Sequence, residues 1–253
     1  MRSPDRFEKL GIRQIVKRRW MDQALRAVLD GKDEASIRKE LMMTLADDET
    51  KHGERGAEQY SKNIALLAAW FAPKDDLDVF VHQLVGIARK LDPEEWVVLH
   101  WAILAASYPF FYTVSSVIGR LLTMQPSVAK AQIQRRIEEI YGTPGMLERN
   151  LRYSISILIE FGFLKQADEK GVYCRGDMLS IDDERLAAAL WKAALHATKG
   201  GKSSATALRN SPAFFAFSMP MIFPSLVRES FDDVDTAQYV GVDEQLFLKE
   251  AQK

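Results

Sequence analysis

The sequence holds few of the residues that usually carry catalysis or cross-linking. It has one cysteine, Cys174, so no internal disulfide can form, and such a chain suits a reducing, cytoplasmic compartment. Its four histidines, His52, His82, His100 and His196, are scattered, and none stands at metal-ligand spacing from another or from Cys174. No serine elbow occurs, and no nucleophile is paired in sequence with a base. Asp47-Asp48 and Asp232-Asp233 sit in polar contexts that read as loops and caps. These absences predict no catalytic residue, no metal and no cofactor. The N-terminus has no apolar core of the kind a secretory signal needs, so none is expected.

Net charge is also nearly missing, at −1, but the total hides an uneven distribution. Residues 1–19 carry seven basic against two acidic side chains, 7 − 2 = +5. Residues 20–60 carry six against ten, −4, residues 111–175 nine against six, +3, and residues 229–253 two against seven, −5. Segregation of this kind points toward nucleic-acid or anionic-surface contact. Hydrophobic residues make up 47% of the chain, enough to exclude a disordered protein.

Charge is absent altogether from WVVLHWAILAASYPFFYTVSSVI, Trp96 to Ile118. A bilayer span needs about 20 continuous apolar residues in one helix. Here Asp92-Pro93-Glu94-Glu95 starts a helix, with Asp92 as N-cap, and Pro109 interrupts it, because proline lacks an N–H and pushes Tyr108 out of the helical region. The stretch is therefore predicted to be two buried helices meeting at Tyr108-Pro109, not a span.

Most of the remaining chain has a helical period. Helices are predicted over 12–29, from Asp33 or Ser36 to about Ala46, over 54–71, and from Asp75 or Asp76 to Leu91, with ADDETKHGERG as a loop. Three helices follow the proline: 110–124, 128–141 and 146–161. FLKQADEKGVYCRGDMLSI then alternates about a polar turn at Asp168–Gly171, which signals a hairpin. Three helices and a hairpin is the order of a winged helix-turn-helix. After it, Asp182 or Asp183 caps a helix to about Thr198, Lys199–Lys202 is a loop, 203–210 is a short helix, 213–227 is broken by prolines, and YVGVDEQLFLKE is a closing strand or hairpin. KGGKSS resembles the tail of a phosphate-binding loop. The position that needs a glycine is His196, however, and a helix leads in, so it reads as a polar loop. The fold class predicted is mainly α: a helical bundle with one or more winged helix-turn-helix modules and short β-hairpins. Its parts are 1–108, a helical domain with a basic arm; 109–182, the winged module; and 183–253, a helical region with a closing strand.

The third helix of the module carries the functional expectation. Leu147, Leu151, Ser154, Ile155, Leu158 and Phe161 share one face. Arg149, Arg152, Tyr153, Ser156 and Glu160 share the other, and arginine, phenol and hydroxyl groups can reach base edges and phosphates. The preceding helix is expected to bury Ile133, Ile137 and Ile140 and to turn Gln132, Arg135 and Arg136 outward. Arg120 precedes it, and Lys165, Lys170 and Arg175 fall on the wing. In RQIVKRRW, Ile12, Ile15 and Val16 are expected to anchor a helix from which Lys17, Arg18 and Arg19 project as a nucleic-acid arm. Two other readings fit the same residues: a winged-helix transcription regulator with a defined operator, and a protein-binding adaptor without nucleic-acid function.

Several stretches together resemble the BrxA-type proteins of bacterial BREX anti-phage systems. They are ALRAVLDGKDEASIRKELM, IALLAAWF, HWAILAASYPFFYTVSSVIGRLL, LERNLRYSISILIEFGFL, LRNSPAFFAF and GVDEQLFLKE, which between them run over most of the chain. The resemblance implies a non-enzymatic, helical protein with winged-helix elements that binds double-stranded DNA alongside other proteins of a defence system. It gives weight to Arg149, Arg152, Lys165, Lys170 and Arg175 as contact positions, with Arg135 and Arg136 in support.

Overall fold

The computed structural model describes residues 7, 10–50, 57–74, 76–143, 145–238 and 243–249. Helix accounts for 58% and strand for 11%, so the chain is mainly α with small sheets. Five helices come first: α1 (Arg18–Leu29), α2 (Glu34–Thr50), α3 (Ala57–Leu67), α4 (Asp78–Ala88) and α5 (Trp96–Ser107). α5 is buried on every face, with His100 and Ser107 inside beside its apolar side chains. A helix without a polar face must be surrounded by other elements. α1, α4 and the later helix α9 (Glu184–Ala197) pack around it.

The uncharged stretch divides as the proline requires. α5 ends at Ser107, Tyr108 lies outside the helical region at φ −131°, ψ 84°, and Pro109 opens α6 (Pro109–Met124) at its first turn. The two helices are bent by 115°, and among the described residues no single helix is long and apolar enough to cross a membrane. Trp101 fills the inside of the bend, with the rings of Phe111, Tyr112, Phe214 and Phe217 at 5.5 to 6.4 Å between centroids.

From α6 onward the order is α6, β1 (Ser127–Ala129), α7 (Lys130–Tyr141), α8 (Leu147–Glu160), β2 (Leu164–Gln166) and β3 (Val172–Arg175). The strands form one antiparallel sheet of order β1-β3-β2, so the strand before α7 pairs with the far strand of the hairpin. Gly171, at φ +82°, turns the hairpin, and its carbonyl accepts the N–H of Lys130 at 2.7 Å. That bond ties the tip of the hairpin to the first residue of α7.

The same order recurs in the C-terminal part. It reads α9, β5 (Lys202–Ser204), α10 (Ala205–Arg209), α11 (Pro224–Ser230), β7 (Val234–Ala237) and β8 (Gln245–Leu248), and the antiparallel sheet runs β5-β8-β7. Helix, strand, helix, helix, strand, strand, with the first strand beside the last, thus occurs twice. Between α10 and α11 a 3₁₀ turn (Pro212–Phe214) lies against α6, and β6 (Phe217–Ser218) pairs in parallel with β4 (Leu179–Ser180) of the linker. One continuous hydrophobic core runs through both units and the helices before them, and β4 pairs with β6 across residues 182/183.

Several elements differ from the sequence reading. Residues 10–17 are irregular rather than helical, and α1 begins only at Arg18; Ile12 and Val16 are buried but Ile15 is exposed. α2 continues through Asp47 to Thr50, because no glycine or proline stops it before Gly53; the rest of the predicted loop, 51–56, lies outside the described residues. Pro93–Glu95 is a turn before α5. There the Glu95 carboxylate accepts the Asp92 N–H at 3.1 Å and closes the turn, the N-cap position of α5 is Glu95 and not Asp92, and no side chain caps the helix. Val128 and Ala129 are strand, not helix, and Ile140 is exposed at 57% near the end of α7. α11 starts at Pro224 within the chain read as proline-broken, β7 is a strand the sequence reading did not place, and the closing strand is confined to Gln245–Leu248, with 239–242 outside the described residues.

Candidate nucleic-acid interface

α8 is placed by the face it buries. Leu147, Asn150, Leu151, Ser154, Ile155, Ile157 and Leu158 are inside; the Asn150 Nδ2 and the Ser154 hydroxyl donate to carbonyls one turn back, Met146 O at 2.7 Å and Asn150 O at 3.0 Å, while Asn150 Oδ1 has no partner among the described residues. What remains outside is a stripe in which Arg149 and Arg152 are exposed and Tyr153 and Ser156 half-buried. Neither guanidinium forms a salt bridge among the described residues, although Arg152 is near enough to Glu148 to help hold that carboxyl down. Arg152 lies 5.4 Å above the Tyr153 ring, and Arg149 donates to the Met146 sulfur at 2.8 Å. The acidic groups flanking the stripe are engaged elsewhere. Lys130, at the start of α7, donates to Glu148 at 2.6 Å and holds that carboxyl below its ordinary range, and Glu160 accepts the backbone N–H of Arg18 at 3.4 Å. The center of the stripe therefore presents two exposed guanidiniums without a salt-bridge partner among the described residues, with Glu148 near Arg152 as a partial counter-charge.

Arg135 and Arg136 are exposed on α7, as predicted, but both reach Glu139, at 3.8 and 3.0 Å. They form a half-neutralised patch in which each exposed pair is worth well under 1 kcal/mol, so phosphates can displace the carboxylate. On the wing, Lys165 pairs with Asp177 at 2.7 Å, whereas Lys170 is exposed at the turn.

The other predicted cations lie elsewhere. Arg175 belongs to β3, but its guanidinium turns away from the hairpin tip. It donates to the Phe215 carbonyl at 2.6 Å and sits 6.0 Å from the Phe215 ring. Arg120 is exposed on α6 and lines the same cleft as Arg175, along with Arg209 at the end of α10. The N-terminal arm is built into the body. Arg18 donates to the Glu94 carbonyl at 2.8 Å and to the Pro93 carbonyl at 3.4 Å, and its Nε lies 3.8 Å from Asp22. Lys17 lies 4.9 Å from the Trp20 ring, and Arg19 is exposed beside Arg18 in a shallow depression that includes Glu94 and Glu160. Arg2, Arg6 and Lys9 lie outside the described residues.

Two features have no counterpart in the sequence reading. Arg209 joins Arg120 and Arg175 across a long separation in sequence, which no local spacing signals. Lys192 of α9 is fully buried, donating to Asp233 and, at 2.5 Å, to the Gln83 side-chain oxygen, and burial pushes its pKa down to about 8. His100, by contrast, is the hydrogen-bonded core histidine its apolar helix suggests. Nε2 lies 2.8 Å from Asp22, Nδ1 has no hydrogen-bond partner among the described residues, and burial lowers its pKa. Among the described residues no group of three or more His, Cys, Asp or Glu side chains is placed to hold a metal ion. No family model, curated protein or solved structure matches the chain.

Proposed function

We propose that the protein binds double-stranded DNA, that residues 109–182 form a winged helix-turn-helix, and that α8 is its recognition helix. One observation carries this reading: α8 is the third helix of a helix–strand–helix–helix–strand–strand unit and exposes Arg149, Arg152, Tyr153 and Ser156 in one stripe. A helix in that position is the one that enters the major groove in such modules, with the wing beside it on the phosphate backbone. Arg149 and Arg152 are the first contacts. Lys170, Arg135 and Arg136 lie on neighbouring elements, where phosphates would replace Glu139 as the partner of the two α7 arginines. With few polar groups on the stripe, phosphate contact outweighs base reading, and binding is sequence-tolerant. A place beside other proteins in a phage-defence system rests on the BrxA-type resemblance alone and is part of the same proposal.

The C-terminal unit is not assigned a duplex. Its third helix, α11, exposes Ser225, Arg228 and Glu229, and Asp232, Asp235, Asp243 and Glu244 follow on and between its strands. Phosphates brought to that face would meet like charge.

The test is a mobility-shift series on unrelated duplexes at two or more salt concentrations. With about four or five phosphates contacted, log K falls against log salt with a slope of about −4. Arg149→Glu with Arg152→Glu abolishes the shift at low salt and leaves the fold intact. Absence of a shift by the folded wild type at low salt refutes the reading. A roughly thousandfold preference for one sequence would turn it into that of an operator-binding regulator.

A further inference from the structure

Arg120, Arg175 and Arg209 come from α6, β3 and α10, and they line one cleft of about 660 Å³ where the two repeated units meet. No acidic residue lines that cleft, and none of the three guanidiniums pairs with a carboxylate among the described residues. Like charges held at one cleft without counter-ions repel one another, and an anion that enters relieves the repulsion. Thr123, Asn210 and Ser211 add neutral polar groups, and the remaining wall is largely apolar: Trp191, Phe217 and Ile222 are buried, and Met221 is exposed at 70% on the rim. The cleft is held open by rigid parts. Arg175 is anchored on the Phe215 carbonyl, and Gly119 lets α6 approach the backbone of Pro212 so closely that a Cβ there would lie 1.8 Å from its carbonyl oxygen.

We propose that this cleft is a nucleotide-binding site. Guanidiniums bind phosphate oxygens through paired N–H donors, and three of them match a di- or triphosphate better than a single phosphate. The aromatic and methionine wall takes the flat base. The size lies within the range of small-ligand clefts, roughly 300–1,000 Å³, and an apolar lining with a few placed charges is their usual make-up. A duplex backbone would use the arginines and leave the apolar wall empty; a nucleotide uses both. This site involves none of the α8 stripe and goes beyond the duplex proposal, removing Arg120 and Arg175 from the duplex-contact set.

The experiment uses the full chain without DNA, in thermal unfolding and titration calorimetry with ATP, AMP and inorganic triphosphate. ATP at a hundredfold above its dissociation constant raises the unfolding temperature by about 5 °C. AMP and inorganic triphosphate each bind at least tenfold more weakly, the first for want of phosphates and the second for want of a base. Arg120→Glu with Arg209→Glu, both at exposed positions, loses at least tenfold in ATP affinity. Should that variant unfold, Arg120→Gln with Arg209→Gln removes the charges without reversing them and must lose affinity in the same direction. The proposal fails if millimolar ATP gives no binding, if inorganic triphosphate binds as tightly as ATP, or if the variants bind ATP as wild type does. Arg149→Glu with Arg152→Glu must leave ATP binding unchanged, so failure of the duplex reading and failure of this one are distinguishable.

Discussion

The buried ion pair of Lys192 and Asp233 should behave as a coupled unit whose removal in one piece costs little and whose halving costs much. Lys192 is fully buried, between the rings of Phe231 at 4.8 Å and Phe80 at 5.2 Å, and its ammonium donates to Asp233 and Gln83. Gln83 also donates to Asp233 at 3.2 Å. The pair thus joins α9 and α4 to the turn before β7. Asp233→Asn would leave an ammonium in the core with no anion, at a cost of about 3 to 5 kcal/mol. Lys192→Met leaves a carboxylate whose side chain is 30% exposed and can rehydrate in part, so its cost is at the low end of that range, about 3 kcal/mol. The double variant has no buried charge, and methionine fits the aliphatic slot, so it should lose only about 1 kcal/mol. Urea unfolding at pH 7 would then show a coupling of several kcal/mol between the two sites. The pH dependence gives a second readout. Burial holds the Lys192 pKa at about 8, while the unfolded chain has the ordinary 10.5. Between those values the unfolded state binds more protons, so stability rises with pH through that window, by up to about 1.4 kcal/mol per unit. Lys192→Met should lack this rise. Additive single-site costs, or equal slopes between pH 8 and 10 for wild type and Lys192→Met, would refute the argument.

Two further outcomes follow from the core. Gly119→Ala gains about 1 kcal/mol of helix propensity but drives a Cβ to 1.8 Å from the Pro212 oxygen and 2.9 Å from the Phe215 Cβ, a clash between backbones that side-chain rotation cannot relieve. A net loss of about 2 kcal/mol in urea unfolding is expected, and unchanged stability would show that the two units are not wedged together there. His100 is kept neutral by burial, with its pKa below the ordinary 6.5, so the unfolded chain takes up a proton that the folded chain refuses. Stability should therefore fall as pH drops below 6.5, and the His100→Gln variant should show a shallower fall over the same interval.

What could be read in the sequence was whatever a local period or a local break determines. The α8 stripe is such a case: Leu147, Leu151, Ser154, Ile155 and Leu158 are buried and Arg149 and Arg152 exposed, as the helical spacing requires. Tyr108-Pro109 is another, because proline acts on its own neighbour. Features set by distant partners were not legible. β1 is strand because Val128 pairs with Tyr173, across two intervening helices, and nothing in QPSVAK signals that pairing against a helix start. Arg175 alternates correctly on its strand, yet its guanidinium is claimed by Phe215 O, a group that arrives from the other unit. Arg18 reads as a solvated cation until the Pro93 and Glu94 carbonyls are placed beside it.

The C-terminal repeat shows the same limit at the scale of a whole unit, and it bears on how the two halves differ. β5 has three residues, α10 five and α11 seven, each too short to display a period. Its order appears only once β5 is seen beside β8. The two copies then differ where a partner would meet them. The third helix of the first copy presents Arg149 and Arg152, with Glu148 held by Lys130. That of the second presents Arg228 with Glu229 and is followed by Asp232 and Asp235. A duplex drawn to the first face is repelled by the second, so the proposed DNA would have to cross one copy and leave the other turned away. Arginines from both copies, Arg120, Arg175 and Arg209, meet in the cleft between them. At about 660 Å³ that cleft has the volume of a small-ligand site. Charge and shape together thus set the two proposed anion surfaces apart, one on α8 and one at the seam. Substitutions at Arg149 and Arg209 should accordingly act on different ligands.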